Sequence, residues 1–350
     1  MHSADSRAPA SKNLAHLVLG AGGTRAILAP CGSILGFQLA EIDWKSIGAV
    51  SGGANVGILL ASGYTPTQLV QFALQVNFDG KVVRKAGAVE TLWSLFMKHH
   101  YERAENRNGT GILDMKQVEE YIDSLVPTWP EKFWTVAVVD NDDIVVFKKD
   151  GIFEYKNGNC IKLASDPGKP GFAVHASCAI PGLVQPPVLA GRHLYDGAFS
   201  KYGVCPVGIS TELFGHNPST VAGVCVGEDS FPGLKGAVHN FWKELWGVPQ
   251  DNSWGPHSKG VVGIHPRITH IHSLSFKLSS DEKWLAILEG FNTTVMTLAK
   301  HGLLTGERLE RAKVMMTELP SAKNAIIGGV DEKQIFGAKV ERVFSKHGLI

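Results

Sequence analysis

Three short segments of this chain carry residue types that could act together on a carbonyl centre. The first is Ala49-Val50-Ser51-Gly52-Gly53, entered through Ile47-Gly48 and followed by an apolar stretch over 54–62 that ends at Gly63. A serine on a sharp strand-to-helix turn projects its hydroxyl clear of the sheet. Small neighbours are needed because the turn is tight and the helix packs close. That helix also aims its free N–H groups and its positive end at the serine. The plainer reading of Ser51 is an ordinary helix N-cap.

The second segment is Gly20-Ala21-Gly22-Gly23-Thr24-Arg25, which follows the apolar run ending at Leu19. Consecutive glycines after a strand let backbone N–H groups converge on one point, where a phosphate or an oxyanion would sit. A dinucleotide fingerprint needs glycine where this chain has Arg25, and a P-loop needs a Gly-Lys-Ser/Thr ending that is absent. An oxyanion loop fits better, because the serine turn follows one strand–helix unit later. The third segment is Leu194-Tyr195-Asp196-Gly197-Ala198, preceded by Ala176-Ser177-Cys178-Ala179-Ile180-Pro181-Gly182. Alone, Asp-Gly is a turn signal.

Other polar groups read more plainly. His265, His270 and His272 have no nearby acidic or cysteine ligand to complete a metal site. His175 and His193 lie close to Asp196 in sequence, so either would permit a Ser-His-Asp triad. Asp140, Asp142 and Asp143 read as a solvated hairpin tip.

The elements needed to position these groups are legible in outline. Residues 1–13 are polar and read as a flexible arm. The next stretch, to about residue 75, alternates strand, turn and helix, with Pro66 opening a helix. Pro30 and Gly32 disturb the first helix. This alternation predicts a parallel sheet with helices on both faces. A helix over 114–125 starts at Asp114, Trp134–Val139 and Ile144–Phe147 form a hairpin, and loops fill 165–171. The expected organisation is a catalytic core over 14–210. Residues 211–350 form a C-terminal region packed on it, with helices near 281–301 and 305–318.

Together the three segments resemble the patatin-like phospholipase family. Gly22-Gly23-Thr24-Arg25 is similar to the family's G-G-G-x-R-G box, Ser51 stands where its G-x-S-x-G nucleophile stands, and Asp196-Gly197-Ala198 matches its D-G-G/A box. Ala176–Gly182, Pro186-Pro187-Val188 and Gly191-Arg192 resemble the lead-in to that aspartate, and Gly111-Ile112-Leu113-Asp114 the family's middle region. Ala21, Ala26 and Ala49 replace family glycines. The resemblance implies a three-layer α/β/α sandwich with a mostly parallel central sheet. It implies a lipid acyl hydrolase in which Ser51 attacks an acyl ester and Asp196 is the base, without histidine, metal or cofactor. Gly22, Gly23, Thr24 and Gly52 would supply oxyanion donors, and Arg25 would order the loop or meet a phosphate head group. A lipid-binding or scaffold protein on the same fold, with weakened catalysis, is the competing expectation. A nucleotide-binding α/β protein is the third.

Composition sets bounds on partners. The chain has 350 residues, 44% hydrophobic and 19% charged, with a net charge of +1. No broad field draws in nucleic acid or an anionic bilayer, so peripheral membrane contact would have to be local and apolar. One segment suits that: Phe241, Trp242, Leu245 and Trp246 share a helical face over 239–246, which either docks on the core or enters the lipid boundary. The five scattered cysteines suggest neither a disulfide framework nor a zinc knuckle. With no signal-peptide pattern or membrane-length apolar run, a cytoplasmic location is expected. Delivery by a specialised secretion system would leave no readable mark.

Overall fold

The computed structural model describes residues 13–76, 83–84, 113–139, 143–181, 183–226, 258–271, 277–320 and 330–350. The amphipathic segment 239–246, His272, Asp140 and Asp142 lie outside the described residues, as does most of the 1–13 arm.

The first apolar run forms β1 (His16–Leu19), whose Leu17, Val18 and Leu19 are buried. Then come α1 (Arg25–Leu39), β2 (Ser46–Ala49), α2 (Gly52–Ala61) and α3 (Pro66–Gln75). Thr65 and Gln68 close a capping box at the start of α3, with Pro66 in its first turn. The two-residue strands β3 (Val83–Arg84) and β4 (Leu113–Asp114) pair antiparallel ahead of α4 (Lys116–Leu125). Asp114 was expected to start that helix. It lies in β4, and its carboxylate accepts the Lys116 N–H at 2.9 Å.

Four strands follow: β5 (Phe133–Val138), β6 (Ile144–Lys148), β7 (Gly151–Lys156) and β8 (Asn159–Ala164). Next are α5 (Pro170–Cys178) and the short strands β9 (Val188–Leu189), β10 (Arg192–His193) and β11 (Tyr195–Asp196). The chain continues through β12 (Val221–Val224), β13 (Val262–Ile264), α6 (Ser280–Lys300), α7 (Gly306–Glu318) and α8 (Val330–Lys346).

The molecule is an α/β sandwich around a nine-stranded mixed sheet of order β13-β12-β1-β2-β5-β6-β7-β8, with β11 also on β5. From β13 to β5 neighbouring strands run parallel. From β5 to β8 they form an antiparallel meander. The helices pack their apolar faces on one side in a core that includes Leu17, Leu35, Phe37, Phe133 and Phe291. Val18, Val50, Trp134, Val136 and Val146 face the other way. They are covered by Ala198, Tyr202, Val207 and Ile209 from a segment with a short 3-10 turn and a π-helical turn. Asp143 corrects the expectation of a solvated tip: it is buried, and Lys156 Nζ lies 2.5 Å from its carboxylate.

Helix α1 is buried at every residue except Gln38, although Pro30 lies inside it. A proline there removes a helical hydrogen bond and costs about 3 kcal/mol. Burial on nearly all sides offsets that cost. Its tightest partner is α6. A Cβ on Gly32 would lie 1.8 Å from the Ile287 carbonyl, and one on Gly290 would lie 2.0 Å from the Ala29 carbonyl. The Ser33 and Thr294 hydroxyls donate to the Gly290 carbonyl at 3.3 and 2.8 Å. The two backbones therefore touch. Gly32→Ala should force them apart and destabilise the protein by about 3 kcal/mol, the upper end for overpacking. Equilibrium denaturation would measure this, and an unchanged midpoint would refute backbone contact as the cause of the glycine.

Candidate active site

Strand β5 sets the geometry of the site. One of its edges is occupied by β6 from Trp134 to Val138. The other is shared by two strands. Ile47, Gly48 and Ala49 of β2 pair with Phe133, Gly48's partner Trp134, and Thr135. Further along the same edge, Ala137 and Val138 pair with Asp196 and Tyr195 of β11. So β2 stops after Ala49, the chain turns out of the sheet at Ser51, and β11 fills the edge it leaves. Asp196 is thereby delivered beside the turn that carries Ser51.

Ser51 has φ 55° and ψ −131°, in the region that favours glycine, and its side chain makes no capping bond to α2. The N-cap reading is thus not what the structure displays. Such a backbone costs of order 1–3 kcal/mol and persists only where its surroundings over-determine it. Those surroundings are visible. The Ser51 N–H donates to Ser177 Oγ at 3.0 Å, and Val50 N–H to the Leu19 carbonyl at 3.0 Å. Gly52 and Gly53 let the first loop come close: a Cβ on Gly52 would sit 2.2 Å from the Gly23 carbonyl, and one on Gly53 2.5 Å from that of Gly20.

Asp196 is 1% exposed. One carboxylate oxygen accepts the Ala198 N–H at 2.9 Å, and its own N–H donates to the Ala179 carbonyl at 2.9 Å. Burial pushes its carboxyl up to about 7, while hydrogen bonds from the Ser51 side chain and the Ala198 backbone pull the other way. The glycine after it is required because a Cβ there would lie 2.4 Å from the Val136 carbonyl.

In the glycine loop, Gly22 and Gly23 have φ of 145° and 56°. Gly20 and Ala21 donate to the Val224 and Val204 carbonyls at 2.8 and 2.7 Å. The N–H groups of Gly22, Gly23 and Thr24 have no hydrogen-bond partner among the described residues. Arg25 is 3% exposed, and its Nη1 donates to the Ile268 carbonyl at 3.5 Å. It therefore ties the loop to the C-terminal half.

Of the two histidines that would permit a triad, His175 is otherwise engaged. His175 Nδ1 is 3.1 Å from a Glu119 carboxylate oxygen and Nε2 is 2.9 Å from the Gln185 carbonyl, which leaves no ring nitrogen for Ser51. His193 lies in β10, paired with Val188. Residues not anticipated are Ser177, Cys178 and Asn55. Asn55 donates to the Gly52 carbonyl at 3.3 Å and to Cys178 Sγ at 3.7 Å. Burial, and then the Asp196 carboxylate, hold the Cys178 thiol well above its usual range. Proline at the start of α5, Pro170, was the available signal for the helix that carries Ser177 and Cys178.

Ala49 finds its room in α2. It is fully buried, and a Cβ on Gly57 would lie 2.8 Å from the Ala49 methyl and 3.2 Å from the Phe133 ring. The methyl added at 49 is accommodated by the one missing at 57. Gly57→Ala should cost about 1–3 kcal/mol, and adding Ala49→Gly to the same chain should recover much of it. A double-mutant cycle by denaturation tests this, with additive losses being the result that excludes the pairing.

Comparison with known proteins gives a family match. The family described as Patatin-like phospholipase matches residues 17–205, more than half of the chain. The chain is similar to the solved structure of VipD from Legionella pneumophila, at 11% identity and a TM-score of 0.40, covering 96% of this chain and 79% of that one. It is similar to the type III effector protein ExoU at 14% identity and 0.38, covering 95% and 62%. It is similar to human GIVD cytosolic phospholipase A2, solved with methyl gamma-linolenyl fluorophosphonate, at 11% and 0.38, covering 86% and 60%. The chain thus spans less than two thirds of the latter two. No curated protein sequence matches it. With a family match that runs from β1 past Asp196, the chain belongs to the patatin-like phospholipase family, whose chemistry is hydrolytic.

Proposed function

We propose that the protein is a serine lipid acyl hydrolase working through Ser51 and Asp196. The observation that carries this reading is the shared edge of β5, which sets the buried Asp196 carboxylate, pushed up to about 7, beside the turn that carries Ser51. An ordinary carboxylate is a poor base for a serine. One destabilised by burial gains more by taking a proton. Ser51 Oγ attacks the acyl carbonyl as Asp196 accepts its proton. The tetrahedral intermediate collapses, the alcohol leaves with that proton, and water repeats the sequence on the acyl-enzyme.

The negative oxygen needs donors. In the serine turn, the Ser51, Gly53 and Ala54 N–H groups are taken by Ser177 Oγ and the Val50 and Ser51 carbonyls. Among the described residues the Gly52 N–H has no partner, next to the loop whose Gly22, Gly23 and Thr24 N–H groups are likewise open. These four are the proposed oxyanion donors, at the N-termini of two helices. Arg25 acts by holding the loop, given its burial and its bond to the Ile268 carbonyl. The substrate is a lipid or other acyl ester, reached by peripheral contact with a lipid surface. No helix among the described residues is long and apolar enough to cross a membrane.

Ser51→Ala should abolish ester hydrolysis, and Asp196→Asn should reduce it by about a hundredfold or more. Because Asp196 must be unprotonated to act, kcat/KM should fall as pH drops through about 7. A flat profile from pH 5 to 9 would exclude it as the base. The same shift has a stability cost. The folded state holds this proton more tightly than the unfolded chain, so stability is lost as pH rises from the ordinary value of 3.8 to about 7. Asp196→Asn should therefore raise the melting temperature at pH 8, and the gain should shrink towards pH 4. Calorimetry across pH would detect it, and a lower melting temperature at pH 8 would contradict it.

A further inference from the structure

Three consecutive residues at the end of α5 each touch the machinery. Ser177 Oγ accepts the Ser51 N–H at 3.0 Å. Cys178 Sγ accepts from Asn55 of α2 at 3.7 Å, and its thiol feels the Asp196 carboxylate. The Ala179 carbonyl accepts the Asp196 N–H at 2.9 Å. One short piece of chain therefore grips the backbone of the serine turn on one side and the backbone of the aspartate strand on the other.

The grip on the serine side matters most. Ser51 occupies a conformation disfavoured for a side-chain-bearing residue, and its N–H finds its acceptor on α5. That N–H is buried, so without an acceptor it would favour rotation of the Val50–Ser51 peptide. Such a rotation moves Oγ relative to Asp196. Ser177 is itself fully buried and fixed on a helix whose Pro170 start and His175 contacts anchor it.

We infer that Ser177 is a positioning residue for the proposed dyad, holding the strained Ser51 backbone through its Oγ while Ala179 holds Asp196. This rests on the Ser51–Asp196 reading above. Ser177 touches no reacting atom. It acts by keeping the nucleophile within reach of its base, where misplacement of about 1 Å can cost about a hundredfold.

The test follows the labelling of wild type, Ser177→Ala, Ser177→Thr and Ser51→Ala by a fluorophosphonate probe, with kcat and KM on a soluble short-chain ester and a thermal melt. Ser177→Ala should slow the labelling rate constant by about ten- to a hundredfold, lower kcat to match, and leave KM within about twofold. Ser177→Thr, which keeps the acceptor oxygen, should restore most of the rate. A merely structural serine would instead lower the labelled fraction, while the folded molecules reacted at the wild-type rate. That result, or a rate constant within about threefold of wild type, would overturn the inference. If Ser177→Ala does not fold, Ser177→Cys, with a weak acceptor of similar size, is read by the same rate and fraction. Equal labelling of wild type and Ser51→Ala would instead overturn the dyad itself, and the inference with it.

Discussion

The site depends on how one edge of β5 is divided. A strand can pair with only one neighbour on each side at a given position. Here β2 takes the first part of the edge and β11 the second. The break between them is where the chain leaves the sheet at Ser51. Had β2 continued, there would be no turn to expose a hydroxyl and no vacant edge for the aspartate. The glycines follow from the same constraint. Gly52 and Gly53 admit the first loop, and Gly197 admits the Val136 carbonyl, because the elements meet at backbone contact.

The energetics of the site run against stability at two points. Ser51 carries backbone strain, and Asp196 carries a buried charge. Both are held by hydrogen bonds from outside their own elements: Ser177 for one, and Ala198 with Ala179 for the other. The compensation lies in the all-round burial of α1 and in its glycine-mediated seat on α6. The loop at the head of α1 is therefore set on a rigid rod. Active sites are commonly built this way, with local strain sustained by a packed frame.

Much of this was legible in the sequence for reasons of short range. Glycine runs after apolar runs announce strand-to-helix turns, and β1, α1, β2 and α2 follow in that order. Pro66 and Gly63 marked where α3 begins and α2 ends. What escaped was decided at long range. The exposed outer strand β8 lacks the alternation that a half-buried strand would display, since it is an edge. Asp143 looked solvated beside its acidic neighbours, and only the antiparallel meander brings Lys156 to it. Pro30 and Gly32 were expected to disturb the start of α1, which burial keeps helical through both. Ser177 sits in a bland Ala-Ser-Cys-Ala stretch, and nothing local reveals that its oxygen meets a backbone N–H 126 positions away.

The pairing of β1 has a consequence for the order of events during synthesis. This strand lies near the start of the chain, yet its outer neighbour is β12, and the Gly20 N–H is satisfied by the Val224 carbonyl. A nascent chain that has emerged only as far as Asp196 holds every side chain of the proposed dyad. It still lacks the strand that closes the glycine loop. Such distant pairings are slow to form, because their loop-closure entropy must be met first. The proposed nucleophile is therefore synthesised well before the strand that closes the glycine loop beside it.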